Sequence, residues 1–209
     1  MIRRPTAIAL AATALTLLLA AGCGSSSTSS SSPTTPVTAA GTAAPKQLFA
    51  SDFEGSCQGA TISSATAYDP AAATHKVLYF SSYEDDLIED FTTLPSDWQV
   101  TFEAEGNAYA AVDVVACAVR TEAAFVEECT GYENDGVPTQ NVARLHTATY
   151  ELTVREATTG SELGSTVLTG ALDSCPMFVA FDSDDDIVDY YPQPEPDEVT
   201  AFLKPFVQP

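Results

Sequence analysis

Residues 24–45, GSSSTSSSSPTTPVTAAGTAAP, carry no charge and almost nothing that a hydrophobic core could use. Such a segment cannot offset its conformational entropy by burial, so the sequence predicts a disordered tether. As a coil these residues average about 25 Å end to end, with a stretched limit near ~70 Å. Folding is thereby confined to the 164 residues 46–209, enough for one domain with a real core.

The tether follows a short positive region, Arg3 and Arg4, and an uncharged apolar run from Ala7 to Ala21. That run is shorter than the roughly 20 residues that span a bilayer, and it describes a secretory signal peptide. It ends at Leu19-Ala20-Ala21-Gly22-Cys23, which resembles a bacterial lipobox, although its leucine stands four residues before the cysteine rather than three. The resemblance implies that residues 1–22 are removed and that Cys23 is lipidated, with residues 23–45 holding the domain off a membrane that it faces from outside the cytoplasm. More than one acyl chain would make that attachment durable.

Five cysteines are an odd number for an exported chain. Setting Cys23 aside leaves Cys57, Cys117, Cys129 and Cys175, an even set suited to two disulfides in an oxidising compartment. Three pairings exist. Cys117 and Cys129 are twelve residues apart, which suits neighbouring strands of one hairpin, so the expectation is Cys117–Cys129 with Cys57–Cys175. No CxxC pair supports zinc or thiol redox chemistry.

The domain reads as mainly β. VLYF (77–80), WQVTF (98–102), AVDVVACAV (111–119) and TATYELTVRE (147–156) are rich in β-branched and aromatic residues. In the last, Tyr150, Leu152 and Val154 alternate with Glu151, Thr153 and Arg155. It runs into a turn signal at Gly160 and then STVLTG (165–170), a predicted hairpin. The expected architecture is an antiparallel β-sandwich with one or two peripheral helices. The candidate helices are SYEDDLIEDF (82–91), with Tyr83, Leu87, Ile88 and Phe91 on one side, and PDEVTAFLKPF, starting after Pro196 and stopping at Pro205.

The order Cys57-Gln-Gly, Ala67-Tyr68-Asp69-Pro70, His75-Lys76-Val77, Leu94-Pro95…Trp98, Val115-Ala116-Cys117, Cys129…Tyr132, Arg155-Glu156-Ala157 and Cys175-Pro176 is similar to a group of uncharacterised, largely actinobacterial exported domains. The similarity spans most of residues 50–180 and implies one disulfide-bonded fold, with no chemistry attached.

Catalytic signatures are sparse. Gly55-Ser56-Cys57-Gln58-Gly59 lacks the central serine of a nucleophile elbow, and His75 and His146 are the only histidines. Metalloprotease, phosphate-loop and dinucleotide motifs are absent. A carboxylate-dependent hydrolase is the alternative that an acidic chain leaves open, with no residue to nominate.

Acidity is the strongest compositional signal. The net charge is −21, and losing Arg3 and Arg4 takes it to −23. Repulsion opposes nucleic acid or anionic headgroups as direct partners of the domain, while the charge permits basic protein patches, cationic ligands or divalent metal, or simply keeps a surface protein soluble. The sharpest cluster is FDSDDDIVDYYPQPEPDE, residues 181–198, with eight acids and no base. Asp182, Asp184 and Asp186 take the alternating positions of an EF-hand loop. Ile187, however, replaces its glycine, and Gln193 its bidentate glutamate. What remains is a weak Ca2+ site of other geometry, with Asp182, Asp184, Asp185, Asp186 and Asp189 as ligands, set against a solvated acidic loop. The expected role is a non-catalytic interaction module at the cell envelope, meeting an envelope protein with a basic patch; the Ca2+-binding module and the hydrolase are its rivals.

Overall fold

The computed structural model describes residues 46–84, 86–103, 106–181 and 186–209. The expected signal peptide, Cys23 and tether lie outside them, as do Asp182, Asp184 and Asp185. The described residues belong to a single unit.

The fold is mainly β, built on one six-stranded sheet. Its strands are β1 (Val77–Tyr83), β2 (Asp86–Glu89), β3 (Val114–Cys129), β6 (Val142–Glu156), β7 (Glu162–Gly170) and β8 (Ile187–Tyr190). Two-residue strands β4 (Glu133–Asn134) and β5 (Val137–Pro138) form a separate small hairpin. The order across the sheet is β2-β1-β3-β6-β7, and β8 pairs with β6 beyond the end of β7. The sheet is mixed where an antiparallel one was expected: β1 runs parallel to β3, and β8 parallel to β6.

A helix and irregular segments, rather than a stacked second sheet, cover its faces among the described residues. On one face Val77, Tyr79, Val114, Ala116, Tyr150, Leu152 and Val154 pack with Trp98 and helix α1 (Pro196–Val207). The alternation read at Tyr150, Leu152 and Val154 is therefore the core-facing one. On the other face Leu78, Phe80, Val115 and Cys117 pack under Leu48, Phe53, Val100, Tyr109 and Val112. Short 3-10 turns at Ala50–Asp52, Glu54–Gln58 and Ala108–Ala111 carry part of that cover.

Helix α1 forms where the sequence places it. Pro196 stands in the first turn with Asp197 and Glu198, whose charges suit the helix N-terminus, and Lys204 stands near the end. Val199, Leu203 and Val207, spaced by four, are fully buried. The helix runs past Pro205, the expected stop, to Val207. Burial of Val207 holds this extra turn, and its carbonyl accepts the backbone N–H of His75 at 2.9 Å.

Three further expectations are overturned. Residues 82–91 are not a helix. They form the β1–β2 hairpin, in which Ser82 faces Leu87 and Glu84 turns the chain at φ 51°. Of the supposed apolar stripe, Tyr83, Ile88 and Phe91 are exposed and Leu87 packs on the core from strand β2. WQVTF is not a strand: Trp98 and Val100 are buried in irregular chain, and the Trp98 carbonyl accepts the Val77 N–H.

The disulfide pairing is Cys57–Cys117 and Cys129–Cys175, not Cys117–Cys129 and Cys57–Cys175. The chain does not turn between Cys117 and Cys129. Both lie on the uninterrupted 16-residue strand β3. At about 3.3 Å per residue they stand about 40 Å apart, whereas the observed bridges span Cα separations of 5.7 and 5.6 Å.

Candidate binding surface

The two central strands are longer than the body of the sheet. β1 pairs with β3 only from Val114 to Ala118, yet β3 continues to Cys129 along β6. The overhang is closed on its other side by β8 and pinned by Cys129–Cys175. Cys129, Ala143 and Leu145 form its small buried core, with Tyr132, Val179, Phe181, Val188 and Tyr190 packed around them.

A cavity of about 740 Å³ opens at the end of this overhang. Tyr132 and Phe181, edge to face at 5.2 Å, line it together with Glu133, Asn141, Asp186 and Cys175. The Tyr132 hydroxyl donates to the Pro176 carbonyl at 3.2 Å, and burial pushes its pKa above the usual tyrosine range. Met177 and Phe178 stand at the rim, 85% and 86% exposed. Two large apolar side chains held in water beside a cavity favour a covering partner. An aromatic and acidic lining suits a cationic group.

On the face shared with α1, a row of rings crosses the overhang. The Arg120 guanidinium lies 3.7 Å from the centre of the Tyr191 ring. Tyr191 lies 4.8 Å from His146, and His146 meets Phe125 edge-on at 5.8 Å. Asp189 Oδ1 is 2.8 Å from His146 Nε2. Arg120 also donates to the Glu84 carbonyl at 2.6 Å, tying the row to the β1–β2 turn. A second cleft, of about 800 Å³, lies there, lined by Glu54, Glu84, Asp86, Val119 and Arg120.

Of the sequence-nominated acids, Asp186 and Asp189 are among the described residues, and they have different surroundings. Asp186 lines the cavity, and its carbonyl accepts the Val142 N–H. Asp189 is engaged with His146. Among the described residues no three His, Cys, Asp or Glu side chains converge as a metal site.

His75 is a core residue. Its Nδ1 lies 2.6 Å from Asp113 Oδ2, and its ring stacks on Tyr68 at 4.4 Å. Asp113 Oδ1 accepts the Lys76 N–H as well. His75 Nε2 is buried, and among the described residues it has no hydrogen-bond partner and no hydroxyl where a nucleophile would stand. Burial raises the pKa of the Glu89 carboxyl against the opposing hydrogen bond from Tyr109, yet Glu89 lines neither cavity.

Sequence reasoning missed Phe125, Val126, Met177 and Phe178. The available signal was FVEEC, in which the two apolar residues are adjacent rather than alternating. No protein-family model, curated protein or solved structure matches the chain.

Proposed function

We propose that this protein is a lipid-anchored extracytoplasmic module that binds another envelope protein and does no chemistry of its own. The observation that carries the binding role is the pair Met177 and Phe178, held exposed at the rim of an aromatic and acidic cavity. Two disulfides are compatible with an oxidising compartment. The anchor rests on the sequence at Cys23, and the basic character of the partner on the charge of the domain.

The test has two arms. Cys23→Ser should release the protein from membranes and abolish acyl labelling; a variant that stays lipidated refutes the anchor. Crosslinking in intact cells, followed by purification through a C-terminal tag, should recover one recurrent envelope protein with wild type and lose it with Met177→Ser/Phe178→Ser. Recovery unchanged by that variant refutes the cavity rim as the contact.

A further inference from the structure

We propose that the open edge of β3, Thr121–Glu128, receives a basic, extended segment of the partner protein as an added strand. This deepens the interaction reading above and rests on it.

The edge exists because β1 stops short. The last β1–β3 pair is Ser81 with Ala118, and two residues later Ser82 Oγ accepts the Arg120 N–H at 2.9 Å. Beyond that point no strand among the described residues lies on this side of β3, although β6 pairs with it on the other side to Cys129. The Arg120 bond also sets the phase of the ladder. Along an antiparallel strand, residues alternate between pointing their N–H and C=O at the partner and away from it. Register shifts at Thr121 and Val126 each absorb one residue. Counting from Arg120, the outward-pointing residues are therefore Ala123, Phe125 and Glu128. Three donors and three acceptors face solvent in a row, the template that strand addition uses.

Charge selects the occupant. Glu122, Glu127 and Glu128 flank the exposed Phe125 and Val126. Among the described residues the base paired with this stretch, Arg144, reaches Glu128 only at 3.9 Å. The strand begins beside the cleft lined by Glu54, Glu84, Asp86 and Arg120, whose guanidinium is taken up by the Glu84 carbonyl and the Tyr191 ring, and leads into the cavity lined by Glu133 and Asp186. An added strand thus runs from one acid-lined hollow to another, with apolar contacts between them. Opposite-charge cross-strand pairs are favourable and like-charge pairs unfavourable. A second copy would set these glutamates against themselves, and an acidic segment is opposed for the same reason.

The experiment uses the purified protein with three ten-residue probes: alternating Val-Lys, alternating Val-Glu, and the Val-Lys peptide with two valines replaced by proline. Fluorescence anisotropy gives affinity, and amide exchange of the wild-type protein locates the contact. The basic peptide should bind at least about tenfold more tightly than either other probe. It should also protect the amides of Ala123, Phe125 and Glu128. Ala123→Pro, which removes an outward N–H from an edge where proline is tolerated, should weaken binding about tenfold. Glu122→Gln/Glu127→Gln/Glu128→Gln should erase the preference for lysine. Equal binding of the acidic peptide, no binding, protection elsewhere, or dimerisation of the protein through this edge overturns the proposal. If crosslinking through Phe178 still captures one partner in that event, the module reading stands and only the strand-addition mode falls.

Discussion

Removing the Cys129–Cys175 bridge is the most informative perturbation of the fold. The bridge spans 46 residues of sequence, reaching from the end of β3 across β6 and β7 to the chain before β8. In the chain-entropy model, closing a loop of that length stabilises by about 4 kcal/mol, because it restricts the unfolded chain. For a domain of this size each kcal/mol moves the melting temperature by roughly 2–4 °C, so Cys129→Ser/Cys175→Ser should lower it by about 8–16 °C. The unfolded chain's freedom also sets the direction of a second observable. An uncrosslinked unfolded chain exposes more surface, so the urea m-value should rise as the midpoint falls. Thermal and urea unfolding under non-reducing conditions measure both, and alkylation with peptide mapping adds the pairing. Cys129→Ser alone should free the thiol of Cys175 and leave Cys57–Cys117 intact. A loss under about 1 kcal/mol with an unchanged m-value would refute the unfolded-state argument. A freed thiol at Cys117 would refute the pairing.

Four further outcomes follow from the packing and the titrating groups. Leu203→Ala empties a fully buried site between α1 and the sheet and should cost about 2–5 kcal/mol in urea unfolding. Gly160 sits at φ 69°, and a Cβ there would lie 2.2 Å from the Gly59 carbonyl oxygen. Gly160→Ala should therefore destabilise by more than about 1 kcal/mol, where an unstrained site would gain from the same change. Burial pushes the Asp90 carboxyl up, but hydrogen bonds from Thr93 and Thr92 outweigh it and hold the pKa below the usual range. Its contribution is present above the unfolded pKa of about 3.9 and lost as pH falls through the lower folded value, so Asp90→Asn should flatten the acid limb of a stability–pH curve. Glu89 has the opposite sign. Its raised folded pKa makes its contribution complete below the unfolded pKa of about 4.3 and lost as pH rises through the higher folded value, so Glu89→Gln should stabilise the protein at pH 7.

Where local pattern and tertiary packing agree, the fold was legible. The run from Thr147 to Glu156 alternates because one face packs on α1, and α1 shows its stripe because Val199, Leu203 and Val207 meet that face. The second half of β3 was not legible. TEAAFVEE combines alanine and glutamate, which favour helix, with no alternation. It is extended because β6 pairs with it through to Cys129. Losing that strand from the reading also lost the disulfides: a chain expected to turn after Val119 would have brought Cys129 back beside Cys117. Residues 82–91 failed in the opposite way. Their spacing fits a helix, but β1 offered a pairing edge and the core offered no place for Tyr83, Ile88 and Phe91. The candidate surface was half visible. Asp186 of the acidic cluster does line the cavity, whereas Met177 and Phe178 announce nothing until the fold leaves them uncovered.

The binding role is tested most directly by a photocrosslinking residue placed at Phe178 in living cells. The control is the same residue at Val167 on β7, which is also apolar and 65% exposed but lies away from the cavity. One discrete crosslinked product at position 178, containing a basic envelope protein and missing at position 167, is the outcome expected of a partner seated on the cavity rim. No product at position 178, or the same products at both positions, would contradict it.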